Sequence, residues 1–408
     1  MTAGEPAGAF AARACRVVPG GASTGSKRPA TLYGSALAPD LPTHARRAWG
    51  CRLETVDGRE LVDCTMALGA VAFGYADPDV TAAVQRAAAE GPVQGLAAWR
   101  EVELAERLVA VMPGAEMVRF LRTGAEATAA AVRIARAATG RRTVLACGYF
   151  GWHDWSNPGP GVPPGAHADV RELPFDDTAA LDRAVDAAGD DLAALIVEPL
   201  IHGVASAAWL AALRRHADAR GAVLIFDEIK TAFRVRTAGV QALRGIRPDL
   251  TTLGKALANG YALAALVGAR ALLETPTWIS STLAGESTAL AAAAAVLDRH
   301  AREDVCTALA GRGQRLRDTV AQALAGQPTL GVRVDGPAVM WRLVADDERR
   351  LDALVAEVAR RGVLLKRGAY QFAALAHDAA AIDRVGAAVH EAAAALVARA
   401  PDRLDVPE

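Results

Sequence analysis

The sequence predicts an α/β fold: a large domain with a mostly parallel sheet covered by helices, plus a smaller α+β domain built from the N- and C-terminal segments. Three observations lead there. Short apolar runs closed by charged or small residues recur between about 118 and 268, and such runs suit strands buried on both faces. Helical patterns alternate with them, the sign of parallel strands joined by helices. Past about 310 the pattern changes to shorter strands and amphipathic helices. The expected organisation is an N-terminal segment (1–65) joining the small domain, a large domain (66–305) and a C-terminal portion (306–408).

In chain order, a first helix leads to a Gly/Pro/Ser-rich connector, Pro19 to Pro29. CRLETVDGRELVDC then holds two alternating runs around Asp57-Gly58, a strong hairpin signal. From about 76 to 112 the pattern is helical, with Glu101, Glu103 and Glu106 interleaved among Val102, Leu104, Leu108 and Val109. VRFL at 118–121 reads as a strand entering the small-residue turn Thr123-Gly124-Ala125-Glu126 and an Ala-rich helix closed by Gly140. Thr143 to Trp155 is a strand running into a loop rich in aromatic side chains. SNPGPGVPPG (156–165) is an irregular loop. Strands at 193–197, 222–226, 250–253 and 263–268 alternate with helices, one of them Trp209 to Arg220. A hydroxyl-rich turn precedes the helix ending near His300. The C-terminal part offers strands around Asp335-Gly336-Pro337, a helix ended by Gly362, a strand VLLKRGAY and a final helix, Ile382 to Ala398.

Composition narrows the function classes. At 408 residues and 52% hydrophobic, the chain can bury a substantial core. A net charge of −1 argues against nucleic-acid or anionic-membrane partners, which call for a basic stripe. No apolar run has the length of a membrane span, and the N-terminus lacks a signal-peptide core, so a cytoplasmic location is expected. The five cysteines and eight histidines are scattered, which suggests reduced thiols and no metal site.

The candidate chemistry lies at strand ends, where α/β sheets bind ligands. Asp227 and Glu228 close one strand, and Lys255, 28 residues after Asp227, comes just past the end of the next. An acid there can keep a pyridinium nitrogen protonated while the lysine forms a Schiff base with the ring's aldehyde, which is pyridoxal phosphate (PLP) chemistry. The bland alternative is a turn acid and a surface lysine. Thr123 to Glu126 at a helix start makes a phosphate cradle or an ordinary capping box. The aromatic loop after Cys147 suits stacking on a planar ring, or a hydrophobic plug. Glu198 is another acid at a strand end. Neither GxGxxG nor GxxxxGK[ST] occurs.

Taken together, TGAEATAAAVRIARAATGR, CGYFGWHDW, IVEP, LIFDEIKTAFR, LGKALANG and STLAGES make the chain resemble the class-III, fold-type-I PLP-dependent aminotransferases. Within them it is most similar to the glutamate-1-semialdehyde aminomutase-like subgroup. The resemblance runs from Val18 to the terminal helix. It implies an aminotransferase working through a Lys255 aldimine and a pyridoxamine phosphate intermediate, between an amino donor and a carbonyl acceptor. An intramolecular aminomutase, or an epimerase or decarboxylase on the same scaffold, is the alternative; a PLP-binding scaffold without turnover and a cofactor-free lysine aldolase are the rivals from other classes.

The resemblance also implies roles. Lys255 carries the cofactor and moves protons, Asp227 pairs with the pyridine nitrogen, and Ile229 and Tyr149 take the two ring faces. Thr123, Gly124 and Ala125 hold the phosphate, Phe150 lies in the cofactor-binding loop, and Glu198 lines the phenolic side. Thr282 reaches the cofactor of the partner subunit in a homodimer. Lys27, Arg28, Trp99 and Trp152 are substrate-binding candidates. The chain departs from the family pattern at Ala125, where relatives have threonine, and at Phe150, where they have histidine. Lys27 and Arg28 are the nearest candidates for an arginine that binds the substrate carboxylate in the aminomutase. Lysine lacks that planar fork, and GAYQFAALAHD is shorter than its family counterpart. Both differences bear on substrate choice.

Overall fold

The computed structural model describes residues 5–399. The chain divides into two compact units: Pro78–Cys306, and the described residues of Met1–Asp77 with Thr307–Glu408.

The larger unit is built on a seven-stranded sheet: β1 (Met117–Leu121), β2 (Thr143–Cys147), β3 (Val170–Glu172), β4 (Leu192–Val197), β5 (Val223–Asp227), β6 (Leu250–Leu253) and β7 (Ala264–Gly268), in the order β1-β7-β6-β5-β4-β2-β3. Strands β2 to β6 run parallel, while β7 is antiparallel to both β6 and β1. The five residues of β5 and the six of β4 are all buried, which is why these strands read as unbroken apolar runs rather than alternating ones. The helix Gly124–Thr139 packs Ala127, Ala131 and Ile134 onto this sheet in one cluster with Ile196, Ile225 and Leu266. Its small alanines let the backbone approach the strands closely. Its start is set by a full capping box between Thr123 and Glu126, and its end by Gly140 in the left-handed conformation.

The smaller unit contains a four-stranded sheet, Ala45–Trp49, Arg52–Thr55, Glu60–Asp63 and Val363–Leu364, whose middle pair is the hairpin read around Asp57-Gly58. A three-stranded sheet of Val332–Asp335, Trp341–Ala345 and Tyr370–Gln371 completes its β structure. The long helices Glu348–Arg360 and Ala379–Ala398 pack together.

Two expectations need correction. The helical pattern over 76–112 is two helices, Pro78–Ala89 and Trp99–Val111, separated where Gly91 takes φ +95° just before Pro92. VLLKRGAY is not one strand: Val363–Leu364 and Tyr370–Gln371 join different sheets. Between them Gly368 has φ +60°, and the Gln371 side chain bonds both the N–H and the carbonyl of Lys366, closing a turn. Strand β3 and the helices Thr178–Ala188 and Val305–Ala325 were not foreseen. Among the described residues no helix is long and apolar enough to cross a membrane, and no cluster of His, Cys, Asp and Glu could hold a metal ion. The five cysteines are free, four of them buried.

Candidate active site

Strands β2, β4, β5 and β6 each deliver a polar group at or just past the carboxyl end. β5 ends in Asp227, β4 is followed by Glu198, β2 by Gly148 and Tyr149, and β6 by Gly254 and Lys255. β1 leads into Thr123 and the N-terminus of its helix.

Asp227 is 4% exposed. Its Oδ1 accepts hydrogen bonds from the Ile229 N–H and the Thr252 hydroxyl, both at 3.0 Å. Oδ2 has no hydrogen-bond partner among the described residues. Burial, and then the nearby Glu198 carboxylate, raise the Asp227 pKa against the pull of these donors and of Lys230. Glu228, one residue on, points the other way, as successive strand residues do. It is fully buried and accepts from the backbone N–H of Val240 and Gln241 at 2.9 and 2.8 Å and from the Thr231 hydroxyl. It ties down its loop.

Lys255 opens a short 3₁₀ turn, Lys255–Ala258, with φ +48°. A lysine in the left-handed region is strained, and strain of this kind collects at functional sites. Burial lowers the pKa of its amine from 10.5 to about 8; the Lys230 ammonium pushes in the same direction, and Glu198 and Asp227 oppose it. Glu198, 3% exposed, forms an ion pair with Lys230 and accepts the Tyr149 N–H at 3.0 Å. Asp227, Glu198, Lys230 and Lys255 thus place two buried acids and two half-buried amines within electrostatic reach of one another.

Around it, Gly124 opens the helix next to Ile229: a Cβ there would stand 2.7 Å from Ile229 Cδ1. A Cβ on Gly254 would meet the same side chain at 3.4 Å. The Thr123 hydroxyl accepts the Glu126 N–H at 3.2 Å, and Glu126 returns the bond to the Thr123 N–H. Ala125 contributes no side-chain polar group. Tyr149 and Trp152 are exposed, at 69% and 71%. Phe150 is a core residue, 5% exposed and stacked on Trp155, with its carbonyl held by the Thr128 hydroxyl. Trp99 is exposed at a helix start, under the Arg100 guanidinium. Thr282 lies exposed in the segment before the helix Ser287–Arg302. Lys27 and Arg28 belong to the smaller unit, where Arg28 Nε donates to the Ala22 carbonyl.

Sequence reasoning missed Lys230 and Thr252. The available signal for Lys230 was its place three residues after the strand-end acid. Thr252 gave its only hint in the polar pair Thr251-Thr252 within a buried strand.

The model of the class-III aminotransferases matches residues 34–153 and 163–378. The chain is 34% identical to the glutamate-1-semialdehyde 2,1-aminomutase of Symbiobacterium thermophilum, over 88% of this chain and 90% of that protein. It is 35% identical to the 2'-deamino-2'-hydroxyneamine transaminase of Streptomyces kanamyceticus, over 80% and 84%. Among solved structures, the FumI protein of Sphingopyxis sp. MTA144, in its PLP internal aldimine form, superposes with a TM-score of 0.90 at 26% identity, covering 96% of this chain and 97% of that one. A match over most of its length, on the sheet whose strand ends carry these groups, establishes that the chain belongs to the class-III aminotransferases and is a PLP-dependent enzyme.

Proposed function

We propose that the strand-end network is the PLP site of an aminotransferase that moves an amino group from a small donor to a small carbonyl acceptor. The observation that carries the reading is the open Oδ2 of buried Asp227, on the strand next to the one that leads to Lys255. The residues fit the cofactor. Asp227 would hold the pyridine nitrogen through Oδ2, while Ile229 and Thr252 fix the carboxylate's orientation through Oδ1. The amides at the start of the helix Gly124–Thr139, with the Thr123 hydroxyl, would hold the phosphate, since unpaired N–H groups and the helix dipole favour an anion there. Ile229, kept in place by two glycines, would lie against one ring face and Tyr149 against the other. Glu198 would face the phenolic side. Bound there, PLP supplies an electron sink for the carbanion formed when an amine loses its α-proton.

Lys255 is the proton carrier. An amine with a pKa of about 8 is partly neutral near neutral pH, so it can take a proton and return it. The Lys230–Glu198 pair maintains that poise by setting a positive charge close to Lys255. Exposed Trp278, Leu283 and Leu96 support a homodimer in which Thr282 reaches the partner subunit's cofactor. A cytoplasmic location completes this reading.

The similarity to an aminomutase favours one further reading, in which the amino group returns to the molecule that gave it. Incubation with candidate amines, with and without a keto acid, separates the two. The aminotransferase turns over only when a second carbonyl compound is present. Borohydride reduction of the yellow protein followed by peptide mapping tests the site itself: the reading predicts the label on Lys255, and a label elsewhere ends it.

A further inference from the structure

Three arginines of one strand–turn–helix unit hold the segment that carries Thr282. Arg119 lies on β1, Arg122 in the turn after it and Arg133 on the helix Gly124–Thr139. Arg133 Nη1 donates to the Trp278 carbonyl at 2.7 Å, and Arg119 Nη1 to the Ile279 carbonyl at 3.3 Å. At the other end of the segment, Arg122 Nη1 donates to Glu286 Oε2 at 3.1 Å. Between these anchors Thr282 and Leu283 are exposed.

Glu286 is an uncommon helix cap, since the shorter Ser, Thr, Asp and Asn are preferred there. Its Oε1 accepts the Thr288 N–H at 2.9 Å and its Oε2 the Ala289 N–H at 3.0 Å. The longer side chain lets Oε2 reach Arg122 as well. Water has little access to the pair, with 22% of the arginine side chain and 10% of the glutamate exposed. Burial pushes the Glu286 carboxyl up, but the Thr288 and Ala289 donors and Arg122 outweigh it and hold the group below the usual carboxylate range. Arg122 is fixed through its backbone too: Glu126 Oε2 accepts both the Arg122 and the Thr123 N–H, at 2.8 and 2.9 Å. The turn that starts the phosphate cradle thus also fastens the end of the Thr282 segment.

A loop fixed at both ends loses little further freedom when its centre meets a ligand, whereas ordering a free one costs affinity. We propose that Arg122, through Glu286, together with Arg119 and Arg133 at the other end, positions Thr282 for the phosphate of the partner subunit's cofactor. The strand–turn–helix unit then serves two sites, offering its own amides to one phosphate and the Thr282 hydroxyl to another. Ala125 brings no hydroxyl to the cradle, so a donor supplied from across the dimer carries a larger share of phosphate binding. The inference rests on the reading that Thr282 reaches a cofactor across a homodimer.

Absorbance titration of the cofactor-free chain with PLP, and with pyridoxal, which lacks the phosphate, tests it. Thr282→Ala should weaken PLP by about tenfold, the worth of one hydrogen bond to a charged group, and leave pyridoxal unchanged. Arg122→Met should weaken PLP by about threefold or more, again sparing pyridoxal. Arg122→Lys keeps a charge for Glu286 and should recover most of that loss. Because the arginine acts through Thr282, the double variant Thr282→Ala/Arg122→Met should bind PLP as Thr282→Ala does. Arg133→Met removes the anchor at the other end, from an exposed position, and should repeat the pattern; it gives the answer even where Arg122→Met does not fold. The positioning role is overturned if either folded arginine variant binds PLP as the wild type does, if its loss adds to that of Thr282→Ala, or if pyridoxal weakens in step with PLP. A Thr282→Ala chain that binds PLP like the wild type places the fault instead in the reading of Thr282 as a cofactor contact, and the inference falls with it.

Discussion

Replacing Lys230 with methionine should raise the pKa of Lys255. After burial, the Lys230 ammonium is the largest influence holding the Lys255 amine down at about 8. Two unit charges interact by about 4 kcal/mol at about 4 Å and about 2 kcal/mol at about 8 Å in an effective dielectric of about 20. About 1.4 kcal/mol is a tenfold change in proton affinity. Methionine removes the repulsion and leaves Glu198 without its ion pair, and both changes favour the protonated amine. A tenfold gain takes the pKa to about 9, so that near pH 7.5 the neutral fraction falls from about a quarter to about three per cent. Competitive labelling of the cofactor-free chain with fluorodinitrobenzene across a pH series, with Lys255 read by peptide mapping, measures this directly. Lys230→Arg keeps the charge and should titrate near the wild type, whereas Glu198→Gln should move Lys255 the other way. The reasoning is refuted if Lys255 titrates at the same pH in Lys230→Met and wild type. Stability offers a second readout. Removing one member of a buried ion pair costs roughly 3–5 kcal/mol, and the double variant with Glu198→Gln should recover part of that.

Other outcomes follow from the same geometry. Asp227→Asn keeps an acceptor for Ile229 and Thr252 but removes the charge; amine turnover should fall by about three orders of magnitude, close to what electrostatic support at a reacting centre is worth, with the folded chain's melting temperature little changed. Gly124→Ala sets a methyl group against Ile229 Cδ1 and should weaken PLP binding by about tenfold, a shift of about 1.4 kcal/mol, read by absorbance titration of the cofactor-free chain. Thr123→Ala removes one half of a capping box and should cost about 1 kcal/mol of stability, read by urea unfolding. Lys255→Met should stabilise the cofactor-free chain. A folded-state pKa below the unfolded one means that the folded chain binds the proton less tightly. The penalty is therefore full below about pH 8, where it is worth roughly 3 kcal/mol, and vanishes above about 10.5; unfolding at both ends of that window checks the sign.

The sheet and its strand-end groups were legible because burial on both faces leaves unbroken apolar runs, and a charge that ends such a run stands out. Asp227, Glu198 and Lys255 are all of that kind. The helix at Gly124 was legible for another reason, since the capping residues and the closing glycine are local chemistry. What escaped notice depends on contacts distant in sequence. The three residues of β3 carry too little pattern to register, and their pairing with β2 is what makes them a strand. Lys366 sat within an apparently continuous strand, and only the fold of Gln371 back onto it reveals a turn. Phe150 looked like a stacking candidate in an aromatic loop, yet Trp155 and the Thr128 hydroxyl draw it into the core.

The adjacent acids at 227 and 228 show how one strand end serves two purposes. Because neighbouring residues on an extended chain face opposite sides, a pair placed there sends one carboxylate toward the site and the other away from it. Glu228 meets two backbone N–H groups and a hydroxyl, donors that engage both of its oxygens, and so fixes the loop that follows. Asp227 meets two donors that both fall on one oxygen. Were it a structural acid of the same kind, its second oxygen would be expected to find a donor as well, since a buried carboxylate gains from each one. The asymmetry between the two acids is what the proposed cofactor site rests on, without reference to any relative. It also explains why Thr252 matters: by taking Oδ1, its hydroxyl holds the carboxylate in the orientation that leaves Oδ2 for a ligand.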